Sequence, residues 1–284
     1  GGARIMNPAW RTLSAKERIL CVLKYIFLTI CVIVAIFPIA WVIMSSFKTN
    51  AEILSNGIGL PSSFSLTGYV QALAISPILK YFMNSVIVAV VATAANVFFL
   101  AMAAYVFARC QFRFKNALYM LLSLSLVIPM TALLNPVYIV VNGMGLADTK
   151  TGLILVYTAL NLPMSLLILR GTFLSIPKSL EEAAYVDGAG FFRTFIQIMM
   201  PCAKGGLASA AVLAFLNNWN EFTFALVLTS GQDARTLPLS LSYFTSQFSF
   251  NYTAMFAAIT IAVIPSIAVF AIFQEQVVSS LTAG

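Results

Sequence analysis

Six stretches of this chain are long enough to cross a hydrocarbon layer about 30 Å thick and carry almost no charge. That pattern decides which solvent the fold must use. The stretches cover residues 25–47, 81–108, 117–141, 151–169, 205–229 and 252–273, and Glu221 is the only Asp, Glu, Lys or Arg inside them. With 61% of residues hydrophobic and 9% charged, the chain has more apolar surface than a water-soluble domain can hide. The runs are too long and too continuously apolar for barrel strands, which would alternate over roughly ten residues. The expected fold class is therefore an all-α membrane protein of six transmembrane helices. Residues 1–24 form a cytoplasmic N-terminal segment and 25–284 one transmembrane domain. The first run is too long, and too closely followed by further spans, for a cleaved signal peptide, and no small-residue cleavage site follows it.

Orientation follows from the basic residues. Arg4, Arg11, Lys16, Arg18 and Lys24 precede the first span. Arg109, Arg113 and Lys115 lie between spans two and three, and Arg170, Lys178, Arg193 and Lys204 between four and five. Twelve of the sixteen basic residues thus fall on one side, leaving Lys48, Lys80, Lys150 and Arg235 on the other. Both termini are expected in the cytoplasm, and the net charge of +7 reflects this bias rather than nucleic-acid binding. Cys21, Cys31, Cys110 and Cys202 have no metal-ligand spacing and there is no histidine, so neither a disulfide framework nor a metal site is expected.

The connection 170–204 is far longer than the 111–116 turn on the same side, and charge gathers in it. In "SLEEAAYVDGAGFFRTFIQIMMP", Pro177 suits a first helical turn and Ser179 with Glu182 has capping-box spacing, which predicts a helix over 178–186. Asp187-Gly188 makes a turn. A second helix over 190–199 is stopped by Pro201, with Phe192, Phe195, Ile196 and Met199 on one face. On residue chemistry alone, this is an amphipathic hairpin lying on the membrane interface or a docking element for a partner. Ala183, Ala184 and Gly188 would permit close approach, and Glu182 could accept a charge-assisted bond.

Glu182-Ala183-Ala184, three residues, Gly188, nine residues, then Ile198-Met199-Met200-Pro201 resembles the EAA motif of ABC-importer membrane subunits. It departs in Met200, where leucine is usual, a volume-conserving exchange. The blocks "YFMNSVIVAV", "IPMTALLNPVYIVVNGMGLADTKTGLIL", "LNNWNEFTFAL" and "IPSIAVFAIFQEQVVSSLTAG" resemble the MalG-type carbohydrate permeases over nearly all of the chain from Lys80 onward. The resemblance implies the type I importer permease fold, with the hairpin as a coupling helix seated on an ATP-binding subunit dimer. Glu182, Ala183, Ala184, Asp187, Gly188, Ile198 and Pro201 would carry that contact. It also implies a MalF-like sister permease, an extracytoplasmic sugar-binding protein, and a multi-pass location in a bacterial inner or plasma membrane. The sequence contains no P-loop motif G-x-x-x-x-G-K-[ST]. No catalytic residue or cofactor is expected in this chain, and ATP and Mg would bind the partner ATPase.

Pro38, Pro129, Pro136, Pro163 and Pro265 interrupt the spans, and together they favour a moving bundle over a static anchor. In the fifth span, Asn217-Asn218-Trp219-Asn220-Glu221 brings four polar side chains into lipid. Asn217 and Glu221, four apart, would share a face, with Glu221 about 24 Å along the helix. Asn217, Asn220 and Glu221 either line a translocation path or bond neighbouring helices. On the outside, residues 230–251 read as a loop whose Asp233 and Arg235 would touch the sugar-binding protein, with 48–80 as part of the same docking surface. The function expected is a permease subunit for a sugar or oligosaccharide forming half of a translocation pathway. Alternatives are an ABC permease for another polar solute, or a stand-alone secondary transporter, which would need more ionisable groups in the membrane than Glu221.

Overall fold

The computed structural model describes residues 14–244 and 250–282. Arg4, Arg11 and the rest of the first 13 residues, 245–249 of the segment 230–251, and 283–284 lie outside the described residues. The described chain is helical with short connections. The first helix, α1 (Ala15–Ser45), starts ten residues before the apolar run does. Its beginning is set by chemistry: Ser14 Oγ accepts from the Glu17 N–H at 3.3 Å and Glu17 Oε2 accepts from the Ser14 N–H at 2.7 Å, a reciprocal capping box. Two short helices follow, α2 (Asn50–Ser55) and α3 (Thr67–Ile75), then α4 (Ile78–Arg109). At 32 residues, α4 is about 48 Å long and is the central post against which the later helices pack.

The third apolar run is not one straight helix. It comprises α5 (Lys115–Leu124), two 3-10 turns at Ser125–Val127 and Met130–Leu133, and α6 (Leu134–Gly143). The halves meet at 102°. Ile128 precedes Pro129 and is extended, with φ −74° and ψ 122°, as the clash with a proline ring requires. The fourth run likewise divides into α7 (Lys150–Leu160) and α8 (Leu162–Ser175), bent by 49° beside Pro163. Pro38 and Pro265, by contrast, sit inside continuous helices. Counting each bent pair once, the described residues hold six elements long and apolar enough to cross a membrane.

The long connection 170–204 forms α9 (Ser179–Val186), α10 (Phe191–Thr194), one π turn over Phe195–Met199 and α11 (Met200–Cys202). The chain then bends by 76° into α12 (Lys204–Asn220). The expected fifth span, 205–229, is broken: α12 ends at Asn220, Glu221 is extended, and α13 (Thr223–Leu228) follows. The last helix is α14 (Tyr252–Thr282). Small residues let these helices close on α4, where Ala89, Ala92, Ala101 and Ala104 are fully buried, the usual device where no hydrophobic force drives helices together in lipid. At the α12–α8 crossing, a Cβ on Gly206 would fall 2.0 Å from Thr172 Oγ1, so glycine is required by proximity.

The segment after α13, expected as a loop, is in part folded into the body of the protein. Leu237–Phe244 forms a 3-10 helix whose Leu237, Leu239, Ser240 and Phe244 are buried. It packs into one core with Ala72, Tyr81, Trp219, Ala254 and Ala257. Ser85 Oγ on α4 accepts from the Leu237 N–H at 2.8 Å, so α4 receives the first backbone donor of this 3-10 helix.

Candidate functional site

At the end of the bundle where α4 terminates, α9 and the limb after it stand outside the transmembrane core as a hairpin. The capping box expected from Ser179 and Glu182 does not form: Lys178 is the N-cap without a side-chain bond. The helix begins instead with Glu181 and Glu182 N–H groups donating to the Lys178 carbonyl at 2.9 and 3.1 Å. Its end is tightly specified. Ala189 N–H donates to Ala184 O at 2.9 Å and Gly188 N–H to Tyr185 O at 3.1 Å, the two bonds of a Schellman motif. Gly188 adopts φ +79°, which a residue without Cβ accepts freely. The motif glycine thus has a backbone reason, and Asp187 is the helix C-cap.

The second limb continues past Pro201 to Cys202. Proline has no N–H to donate into the preceding turn, and the chain widens into a π turn just before it, as such helices do where a bond is lost. The widening rotates the apolar residues apart. Phe195 and Met199 point inward, 8% and 0% exposed, while Phe192 and Ile196 point out at 69% and 61%. The single greasy face expected from spacing becomes two. Phe195 joins Phe173 and Phe191 around the Tyr105 ring, with centroids 5.0–5.5 Å from it.

Sequence reasoning missed Glu181. Its carboxylate is buried, with Oε2 at 3.0 Å from Arg109 Nε and Oε1 accepting from Tyr105 Oη at 2.8 Å. Arg109 also donates to the Ile176 carbonyl. No local sequence signal separates Glu181 from Glu182: its place on α9's packing face, three residues before the buried Ala184, follows only from the fold. Glu182, Ala183 and Val186 are exposed, Val186 at 87%, and among the described residues Glu182 has no ion pair. Ile198 is half-buried and Pro201 exposed.

A polar cluster lies along the break between α12 and α13. Asn217 donates to Asn161 Oδ1 at 3.0 Å, Asn161 to Asn218 Oδ1 at 2.7 Å, and Asn218 to Thr93 Oγ1 at 3.1 Å. This chain of amides ties α12 to α8's start and to α4. Asn218 is the buried link, whereas Asn217 and Asn220 are exposed. Asn220 returns a bond to the Leu216 carbonyl. Asn217 and Glu221 border the same cleft as their spacing predicts, but Glu221 is no longer helical, since α12 ends at Asn220. Glu221 Oε1 accepts from the Phe224 N–H at 2.7 Å, and Oε2 accepts from the Ala225 N–H at 3.0 Å and from Tyr157 Oη at 2.7 Å. It supplies acceptors for the first N–H groups of α13, which no intrahelical carbonyl can reach. Met130, Tyr157, Asn161, Asn217, Asn220 and Glu221 border a cleft of about 280 Å³.

At the opposite end, Asp233 is exposed and paired with Lys80. Arg235 is half-buried and reaches Tyr243 Oη at 3.4 Å. Both residues' carbonyls accept from Asn84 Nδ2. Asp148 Oδ1 accepts from the Ser230 and Gly231 N–H groups at 2.9 Å, which holds the Asp148 carboxyl below its usual range. The segment carrying Asp233 and Arg235 is therefore clasped to the body of the protein.

Comparison with known proteins adds to this geometry. Residues 100–282 match the family described as binding-protein-dependent transport system inner membrane component. The diacetylchitobiose uptake system permease protein NgcG of Streptomyces coelicolor is 35% identical, over 96% of this chain and 91% of that protein. The sulfoquinovosyl glycerol transport system permease protein SmoH of Agrobacterium fabrum is 34% identical, over 92% of each. A chain of a bacterial ABC transporter involved in importing the acidic polysaccharide alginate superposes with a TM-score of 0.81 at 21% identity, covering 93% of this chain and 98% of that one.

Proposed function

Because the chain belongs to the family of binding-protein-dependent transport system inner membrane components, we propose that it is the sugar- or oligosaccharide-permease subunit of an ABC importer, forming half of the pathway beside a MalF-like sister permease. The observation carrying this reading is the hairpin. Glu182, Ala183 and Val186 project outward next to a tight glycine turn, a shaped surface for a cleft on an ATP-binding subunit. ATP and Mg belong to that partner, and this chain performs no hydrolysis.

The permeases named above for diacetylchitobiose and sulfoquinovosyl glycerol support a carbohydrate cargo. So does the cleft: its border offers amides and a tyrosine hydroxyl but no lysine or arginine, which suits a neutral, hydroxyl-rich solute. Asn217 and Asn220 would meet the solute there, while Glu221, with its oxygens already engaged, shapes the wall. An extracytoplasmic sugar-binding protein would deliver the cargo to the end bearing Asp233 and Arg235.

Reconstitution with the sister permease, ATPase and binding protein should give ATP-dependent uptake of a neutral oligosaccharide. Uptake by this chain alone, driven by an ion gradient, would overturn the proposal. Orientation has its own test by thiol labelling from outside intact cells. Ser240 is buried, so the positions to use are the exposed Ile58 and Gln232. In a background without native cysteines, Ile58→Cys and Gln232→Cys should react with an impermeant reagent and Val186→Cys should not. The reverse pattern would invert the proposed topology, which places both termini in the cytoplasm of a bacterial cell whose inner or plasma membrane holds the spans.

A further inference from the structure

The two adjacent glutamates of the hairpin face opposite ways, and the inward one is bound into the membrane domain. Glu181 and Arg109 have side chains only 9% and 7% exposed, in contact at 3.0 Å. Tyr105, one turn before Arg109 on α4, gives its hydroxyl to the second Glu181 oxygen. Arg109 also bonds the carbonyl of Ile176, at the end of α8, and the Tyr105 ring is enclosed by Phe173 of α8 and by Phe191 and Phe195 of the second limb. One buried knot therefore joins α4, α8 and both limbs of the hairpin.

We propose that Glu181, Arg109 and Tyr105 are positioning residues that lock the hairpin to α4 as one rigid body, so that a displacement imposed on the docked hairpin moves α4 instead of flexing the connection. The proposal rests on the docking reading of the hairpin. Three features carry it. Glu181 takes a directional hydrogen bond from the Tyr105 hydroxyl on one oxygen and a close ion pair with the Arg109 guanidinium on the other, so two contacts from α4 hold the one carboxylate. Neutralising one member of a buried pair leaves the other charge uncompensated, so the knot resists loosening. Finally, α4 runs unbroken from this knot past Thr93, which takes the last bond of the asparagine chain, to Asn84 and Ser85, which hold the external segment. A continuous helix transmits axial and rotational displacement, whereas α7–α8 and α12–α13 are interrupted.

The test uses the assembled importer in proteoliposomes and measures three quantities: ATPase subunit retained on purification, ATP hydrolysed, and solute moved per ATP. Tyr105→Phe removes only a hydroxyl and keeps the ring in its cage, Arg109→Lys keeps the charge but not the fork, and Glu181→Gln removes the charge. Each should retain the ATPase subunit while solute per ATP falls, by at least about fivefold for Glu181→Gln and less for the other two. Glu182→Ala, on the docking face, should instead lose the ATPase subunit. If Glu182→Ala keeps that subunit, the docking reading fails. If docking holds and solute per ATP is unchanged in intact Tyr105→Phe and Glu181→Gln complexes, the lock is refuted. Equal loss of the ATPase subunit in Glu181→Gln and Tyr105→Phe would refute it also, since the knot would then merely shape the docking face. Should Glu181→Gln fail to assemble, the two milder variants decide.

Discussion

Gly188→Leu should abolish transport while leaving the membrane domain inserted and folded. Two effects of the substitution can be separated. The residue sits at φ +79°, where an L side chain costs about 1–2 kcal/mol, enough to fray the end of α9 without unfolding the protein. A Cβ there meets nothing within 4 Å in this chain, so the new side chain projects into the space in front of the hairpin, where the proposed ATPase partner would seat. Gly188→Asn tolerates the left-handed conformation, and Gly188→Ala brings the strain with little bulk. The expected order of retained ATPase subunit is therefore Asn and Ala well above Leu. Normal transport by Gly188→Leu in an intact complex would remove the docking assignment. Recovery by Asn alone, with Ala as poor as Leu, would make the glycine's role purely conformational.

The second large effect is expected at Glu221, and for a reason different from charge lining a path. Its carboxylate receives three donors: two N–H groups of α13 and the Tyr157 hydroxyl. Glutamine offers one oxygen and turns an amide NH₂ toward a donor, so Glu221→Gln is not a mild change here. At least one polar group loses its partner, a cost of about 1–3 kcal/mol each, and Glu221→Ala orphans all three. Thermal unfolding of the purified complex should fall by several degrees for Gln and further for Ala. Tyr157→Phe, which removes one donor along with the need for one acceptor, should be the mildest. A Glu221→Gln protein as stable as the parent but defective in transport would restore the lining role and refute the capping one.

Much of this molecule is legible from its residues because lipid imposes a simple rule: backbone polarity must be satisfied inside each segment, so uncharged runs of span length become helices. The spans at α1, α4 and α14 followed that rule, as did the break at Pro129, where a local clash dictates the bend. So did the turn at Gly188, where one glycine in a short helical sequence marks a left-handed C′ residue. What reads locally was determined locally.

Three features were decided by tertiary structure. The chain breaks after Asn220 without a proline because Tyr157, from another helix, helps hold the carboxylate that caps α13. The segment around Ser240 is rich in the polar and aromatic residues of an external loop, yet it is buried because Ser85 and Asn84 on α4 satisfy its backbone. Glu181 and Glu182 are identical side chains one residue apart, and nothing in composition or motif assigns one inward and the other outward. A helix turns about 100° between neighbours, and only the presence of Arg109 and Tyr105 on α4 decides which of the two becomes the buried anchor. The sequence by itself determined where the apolar helices lie and where a proline or glycine turns the chain, at Pro129 and Gly188, because solvent and sterics act on each segment alone. Tertiary structure decided which polar groups face each other, because a partner's position is set by packing between segments distant in the chain.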